Sequence, residues 1–130
     1  MKLLLQEPGS DEVAELWAAA DWISSSRILY VEARAALAAA RQQGRVRGQR
    51  LARVRERLEQ LIAAVDAIEL DLVLASATGE LADRLSLCAN DALHLASALT
   101  LANAQVVLTT WDRQLQQAAR DVGLAVAPAG

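Results

Sequence analysis

The stretch that decides the fold spans residues 90–115 and reads NDALHLASALTLANAQVVLTTWDRQL. Asn90 is a good N-cap residue, and we expect it to start a helix that ends at about Ala102. Residues 105–109 are rich in branched apolar side chains and are the clearest strand candidate in the chain. Asp112 follows this strand and opens another helix. A helix, a strand and a helix in this order are typical of a parallel sheet covered by helices.

The same alternation of helix and strand extends outward from this stretch. Helical periodicity, N-terminal acids and glycines at helix ends predict helices at about residues 11–20, 28–43, 45–65, 72–87, 90–102 and 112–122. Short apolar segments predict strands at about residues 22–26, 67–70, 105–109 and 124–127. We expect Ser10 to cap the first helix, and we expect the fourth helix to be interrupted or shifted near Thr78 and Gly79. The predicted fold class is therefore α/β.

Length and composition exclude several classes of protein. The 130 residues suit one compact domain, and the 28 Ala and 22 Leu favour helices. No apolar run approaches the roughly 20 residues of a membrane span, and the first ten residues lack the features of a signal peptide. Cys88 is the only cysteine, which excludes an internal disulfide and suits a reducing compartment. We therefore expect a soluble cytoplasmic protein with no membrane partner.

The net charge of −3 hides an uneven distribution of charge along the chain. Residues 41–57 contain seven Arg and one Glu. This basic segment is interpreted either as a solvated helix face or as a surface that binds RNA phosphates, with Arg45, Arg47 and Arg50 as the candidate contacts. No aromatic residues interleave with these arginines, so base stacking along the segment is disfavoured.

Three acidic residues are candidates for chemistry because of their positions relative to the predicted elements. Asp112 comes directly after a predicted strand, Asp91 opens one predicted helix, and Glu32 lies early in another. Ligands of open parallel sheets bind beyond the carboxyl ends of the strands, where these acids could meet. The alternative is structural, since a carboxylate at a helix N-terminus stabilises the helix by about 0.3–1 kcal/mol without any catalytic role. Glu32 fits that alternative less well, because pairing with Arg34 is not favoured at a spacing of two residues.

Four stretches of the chain resemble the PIN-domain family, and within it the VapC-like ribonuclease toxins of bacterial toxin–antitoxin pairs. They lie, in the order that the family has, at residues 2–10 (KLLLQEPGS), 26–37, 90–98 (NDALHLASA) and 108–115 (LTTWDRQL). The most specific feature is the combination of DALHLA at residues 91–96 with a Thr-x-Asp at residues 110–112. The resemblance implies a single PIN-like domain over residues 1–130, built as a three-layer α/β/α sandwich with a parallel sheet flanked by helices. It also implies a helical arm at about residues 28–65.

By this resemblance, Glu32, Asp91 and Asp112 correspond to acids of the family's metal site, and Thr110 corresponds to a supporting hydroxyl residue. Clustered carboxylates repel one another unless a divalent cation neutralises them, and Mg²⁺ or Mn²⁺ suits oxygen ligands. Such an ion polarises a phosphodiester and lowers the pKa of a water that attacks in line. The resemblance therefore implies a metal-dependent endoribonuclease that acts as the toxin of a VapBC-like pair.

The resemblance also implies partners for this chain: a VapB-like antitoxin, an RNA substrate and a second copy in a homodimer. It gives the basic segment a third interpretation, because the family's helical arm takes part in dimerisation and antitoxin contact. The apolar stripe from Leu51 to Val65 fits such a contact.

The family pattern includes one more acid, an Asp at the end of a first strand, and the likeness here begins at full strength at Lys2. We therefore expect the family's first strand and its Asp to be missing from this sequence. The alternative function that follows is a non-catalytic PIN module that only binds an antitoxin or RNA, because three acids would hold the metal too weakly. A more distant alternative is an unrelated α/β nucleic-acid binder that uses only the basic segment.

Overall fold

The computed structural model describes residues 1–101 and 105–129. Over these residues the chain forms helices and short strands in the order α1 (Ser10–Ala19), β1 (Ser24–Ser26), α2 (Ile28–Gln42), α3 (Gly48–Ala63), β2 (Asp66–Ile68), α4 (Leu72–Leu85), α5 (Ala89–Leu99), β3 (Val107–Thr109), α6 (Arg113–Asp121) and β4 (Ala125–Ala127). Every helix and strand predicted from the sequence has a counterpart, so the α/β class is confirmed. The predicted end of the fifth helix at about Ala102 lies outside the described residues.

The chain divides into two compact units, Met1–Ala67 and Ile68–Gly130. The first contains α1 to α3, and its strand β1 pairs with β2 at the border between the units. The second contains α4 to α6, and its strands β3 and β4 pair in parallel, with Val107 opposite Ala125 and Thr109 opposite Ala127. The parallel pairing predicted from the alternation of elements is thus observed in the second unit. The single-domain organisation over residues 1–130 stays a prediction.

The core of the first unit is built around α3. Its buried side chains Val54 and Leu58 pack with Leu37 and Ala40 of α2 and with Leu5 and Val46. Leu51 and Ile62, which belong to the predicted apolar stripe, also pack against this core. Most of the stripe is therefore interior packing, and its interpretation as a contact with an antitoxin or a second copy stays a prediction.

The start of α1 differs from the prediction, because Gly9 and not Ser10 is the N-cap residue. Gly9 has a φ of 87°, in the left-handed region that glycine adopts without strain. The Ser10 hydroxyl accepts the Glu7 N–H at 2.9 Å and donates to the Lys2 carbonyl at 2.7 Å. The side chain is therefore buried in the turn before the helix, and it does not cap the helix.

The boundaries of α4 and α5 also correct two predictions. α4 continues through Thr78 and Gly79, where the Thr78 hydroxyl donates to the Leu74 carbonyl at 2.7 Å without interrupting the helix. α5 begins two residues earlier than predicted, because Cys88 and not Asn90 has the extended backbone of the N-cap residue, with a ψ of 160°. Asn90 therefore lies inside the first turn of α5.

The second unit places the ends of its two parallel strands next to the start of α6. α5 supplies a run of buried side chains, which are Ala92, Leu93, Leu95, Ala96, Ser97 and Ala98. Four of them are Ala or Ser, whose small side chains allow close helix packing, and α5 contacts both α4 and α6. α6 in turn contacts β4. The carboxyl ends of β3 and β4 lie at one edge, as parallel strands require, and Asp112 follows β3 at that edge.

Candidate functional site

Asp112 is held at the junction of β3 and α6 by its own carboxylate. It is the N-cap residue of α6, and its Oδ1 accepts the Leu115 N–H at 2.9 Å. Its backbone N–H donates to the Thr110 hydroxyl at 3.1 Å, so the two residues of the Thr-x-Asp motif are directly linked. Oδ2 makes no hydrogen bond or ion pair with any described residue. Asp112 therefore has the predicted structural role and also keeps one oxygen for a ligand.

Asp91 has a similar arrangement in the first turn of α5. It is half-buried, and its Oδ2 accepts the Cys88 thiol at 2.9 Å. Within the described part of the chain, Oδ1 has no hydrogen-bond partner. Both aspartates thus use one oxygen to fix the carboxylate and leave the other uncommitted, so each could serve as a monodentate cation ligand.

A hydrogen bond ties the start of α6, which bears Asp112, to the end of α4, just before the helix that bears Asp91. The Gln114 side-chain amide, in the first turn of α6, donates to the Ser86 carbonyl at 2.9 Å. Ser86 ends α4 and lies two residues before Cys88, which caps α5. Because α5 also contacts α6, the elements that bear Asp91 and Asp112 are directly packed neighbours.

Gln116 is a site residue that the sequence analysis missed. It is 7% exposed, and its side-chain amide donates to the Thr110 carbonyl at 2.7 Å and to the Pro128 carbonyl at 3.4 Å. The available signal was its position one residue after buried Leu115 and three before buried Ala119, on the face of α6 that packs inward. A glutamine on a buried helix face indicates a specific acceptor for its amide.

Glu32 lies in the first unit, on α2, and is half-buried. Arg34 does not pair with it, as expected from their spacing; Arg34 instead forms an ion pair with Glu59 at 3.2 Å and donates to the Tyr30 hydroxyl at 2.8 Å. Over residues 1–101 and 105–129, no group of three or more His, Cys, Asp or Glu side chains is arranged to hold a metal ion. The three-acid metal site therefore stays a prediction; its two aspartates both lie in the second unit, on the contacting helices α5 and α6.

Comparisons with known proteins decide the family. The sequence model of the PIN-domain family matches residues 1–121 of this chain. The chain belongs to the PIN-domain family. Its α/β fold of helices and short parallel strands is accordingly the PIN fold.

Two curated proteins of Mycobacterium tuberculosis are similar to this PIN domain along almost its whole length. They are the protein named Ribonuclease VapC45, from strain CDC 1551 / Oshkosh, and the protein named Ribonuclease VapC49, from strain ATCC 25618 / H37Rv. Each is 40% identical over 129 residues, which cover 99% of this chain and 90% of the relative. The chain is therefore a VapC-like PIN-domain protein. No solved structure matches it.

The basic segment of this PIN domain contains arginines of two kinds. Arg45 forms an ion pair with Glu7 at 2.5 Å, and the Arg47 guanidinium lies against Gly44, where an added Cβ would collide with it. Arg45 is thus paired within the protein, whereas Arg47 is exposed and only lies close to Gly44. Among the described helices, none is long and apolar enough to cross a membrane.

Arg50, the third predicted RNA contact, belongs to a different arrangement on α3. Arg50, Arg53 and Arg57 are exposed and follow one another at spacings of three and four residues, which places them on one face of the helix. None of the three forms an ion pair with a residue that the structure describes. We call these three residues the arginine stripe.

The two functions of the Asp112 carboxylate are separable by mutation. Asn caps helices about as well as Asp, so the free energy of unfolding of Asp112→Asn is expected to lie within about 0.5 kcal/mol of the wild-type value. Asp112→Ala removes the acceptor of the Leu115 N–H and is expected to lose about 1 kcal/mol. Urea unfolding curves of the three proteins measure both differences. Equal loss in both variants would show that the negative charge, and not the cap, stabilises this junction.

Proposed function

We propose that this VapC-like PIN-domain protein is a metal-dependent endoribonuclease and the toxin of a VapBC-like toxin–antitoxin pair. The observation that carries the proposal is the pair of aspartates at the starts of α5 and α6, each with one fixed and one uncommitted oxygen. Support comes from the two relatives, both named ribonucleases, whose similarity extends over 99% of this chain.

The donor atoms of this pair fit Mg²⁺ or Mn²⁺, since both ions prefer carboxylate oxygens. We assign Asp91 and Asp112 as ligands from their geometry, and Glu32 as a third ligand from the family resemblance. When bound, such an ion polarises a phosphodiester and lowers the pKa of water. No Cys/His set suited to zinc is present among the described residues.

The protein's own groups have defined tasks in this proposal. The cap to Leu115 N–H restricts the Asp112 carboxylate, so its Oδ2 is presented in one direction. The Thr110 hydroxyl accepts the Asp112 N–H, and its own proton has no acceptor among the described residues. That proton is therefore available to donate to a substrate phosphate oxygen, which would orient the phosphodiester next to Asp112.

RNA binding is assigned to the arginine stripe. Three unpaired like charges on one helix face repel one another, and a row of phosphates neutralises them. Guanidinium groups bind phosphate oxygens through paired N–H donors. Arg45 is given no contact with RNA, because Glu7 pairs with it, and the exposed Arg47 stays a candidate contact.

The proposed partners follow from the family. A VapB-like antitoxin would bind this chain and block cleavage, and a second copy would form a homodimer. A reducing cytoplasm suits Cys88, which is exposed and forms no disulfide.

A second candidate function is a non-catalytic PIN module that binds an antitoxin or RNA without cleaving it. The observation that favours it is that the described residues contain no set of three metal ligands. Titration of Mn²⁺ into the protein by calorimetry, together with an RNA cleavage assay, separates the two functions. Binding of Mn²⁺ with cleavage supports the enzyme, whereas RNA or antitoxin binding without either supports the module.

The metal-site assignment is tested by removing one carboxylate charge at a time. Asp91→Asn and Asp112→Asn are expected to reduce Mn²⁺-dependent cleavage of a single-stranded RNA to background, because an amide is a neutral and weaker cation ligand. Asp83→Asn is the matched control, because it makes the same change at an exposed position of α4, and it is expected to retain wild-type cleavage. Full activity in either site variant contradicts the assignment.

The arginine stripe is tested by the salt dependence of RNA binding. Arg53→Gln is expected to weaken binding and to reduce the slope of log K against log salt by about 0.7, the value for one phosphate contact on a single strand. Arg55→Gln is the control, because Arg55 is equally exposed but lies outside the stripe on the same helix. Fluorescence anisotropy at several salt concentrations, in an Asp112→Asn background that does not cleave, measures both slopes. Equal slopes for the two variants contradict the role of the stripe.

A further inference from the structure

The buried amide of Gln116 lies where an apolar side chain would pack at lower cost. Gln116 is 7% exposed, and its neighbours on the buried face of α6 are Leu115, Ala118 and Ala119. Burying a carboxamide is unfavourable unless its donors and acceptors are paired. The two carbonyls that this amide reaches, those of Thr110 and Pro128, therefore explain why the position is polar.

These carbonyls belong to the two chain segments that leave the parallel strands. Thr110 follows β3 and donates its backbone N–H to the Ala127 carbonyl at 3.0 Å, whereas Pro128 follows β4. The Gln116 amide thus bridges the carboxyl ends of β3 and β4 at the edge where Asp112 begins α6. Ligands bind at this edge in open parallel sheets.

Gln116 restrains both residues of the Thr-x-Asp motif at once. Its backbone N–H donates to the Asp112 carbonyl at 2.9 Å, as the first turn of α6 requires. Its side chain donates to the Thr110 carbonyl at 2.7 Å. Gln116 therefore bonds to both ends of the turn from Thr110 to Asp112, with its backbone N–H at one end and its side-chain amide at the other.

We propose that Gln116 is a positioning residue whose side-chain amide fixes the turn from Thr110 to Asp112, and thereby the direction of the Asp112 carboxylate and the Thr110 hydroxyl. This proposal rests on the proposed function only for the identity of the ligand that the Asp112 carboxylate binds. The geometry of the turn can be measured without any metal, so the two are tested separately. Gln116 itself touches neither substrate nor ion.

The test compares Gln116→Met with Gln117→Met by hydrogen exchange of backbone amides in the absence of metal. Met has a similar length and no donor, and Gln117 is an exposed neighbour whose amide donates to Asp121 on the same helix. Gln116→Met is expected to increase exchange at the Asp112 and Leu115 amides about tenfold while leaving the α5 amides unchanged. Gln117→Met is expected to leave all of these rates unchanged. Unchanged rates at Asp112 and Leu115 in Gln116→Met overturn the proposal.

A second variant separates hydrogen bonding from packing. Gln116→Glu keeps the shape of the side chain, but its carboxylate accepts and cannot donate to a carbonyl. It is expected to accelerate exchange at Asp112 and Leu115 at least as much as Gln116→Met. Wild-type protection in Gln116→Glu would show that shape alone holds the turn, and it would overturn the role assigned to the amide.

A measurement on the wild-type protein covers the case in which a variant fails to fold. The side-chain amide protons of Gln116 are expected to exchange at least about tenfold more slowly than those of Gln117, because only the former are buried and bonded to carbonyls. Equal exchange of the two side chains contradicts the proposal.

Mn²⁺ titration then connects the turn to the site. Gln116→Met is expected to bind Mn²⁺ about tenfold more weakly than the wild type and Gln117→Met, in the range found for residues that orient metal ligands. If the wild type binds no Mn²⁺ while Gln116→Met still accelerates exchange at the turn, the proposed function fails and the positioning of the turn stands. If the wild type binds Mn²⁺ and Gln116→Met binds it equally well, the positioning role fails and the proposed function stands.

Discussion

The passage of the chain from β3 into α6 is the constraint on which the candidate site depends. Asp112 ends the extended segment and begins the helix, so one carboxylate oxygen must accept the Leu115 N–H that no backbone carbonyl can satisfy. The other oxygen is left for a ligand. The structural and functional interpretations of this residue are therefore compatible, because they use different atoms of one carboxylate.

The neighbouring polar groups preserve this arrangement. Gln114 ties the first turn of α6 to the residues before α5, and Gln116 closes the turn from Thr110 to Asp112. Asp91 is fixed in the same way as Asp112, with the Cys88 thiol taking the place of a backbone N–H. The site in the second unit is thus built from two anchored aspartates and from amides that bond to main-chain carbonyls.

Local sequence pattern was sufficient for the order of helices and strands, because hydrophobic periodicity marks the helices and short apolar segments mark the strands. It failed where the deciding partner is distant in the chain. Ser10 is a plausible cap by residue type, but the Lys2 carbonyl and Glu7 N–H occupy its hydroxyl. The apolar stripe of α3 was visible, but the residues that cover it come from α2 and from Leu5.

The same limit applies to the site. The positions of Asp91 and Asp112 followed from helix starts and from resemblance to the PIN family, whereas the role of Gln116 depends on carbonyls that only the folded chain brings near it. Charge counting identified the basic segment but not the pairing of Arg45 with Glu7, which lies 38 residues away. Which arginines of the basic segment are left unpaired is therefore visible only in the folded structure.

The central claim is that Asp91 and Asp112 bind one cation through their uncommitted oxygens. Paramagnetic broadening of backbone amide signals during a Mn²⁺ titration tests it most directly, because broadening falls steeply with distance from the ion. The account predicts that the amides around Asp91 and those from Thr110 to Arg113 lose intensity first, at substoichiometric Mn²⁺, and that Asp112→Asn abolishes this selectivity. Broadening that begins elsewhere, or that is the same in Asp112→Asn, would contradict it.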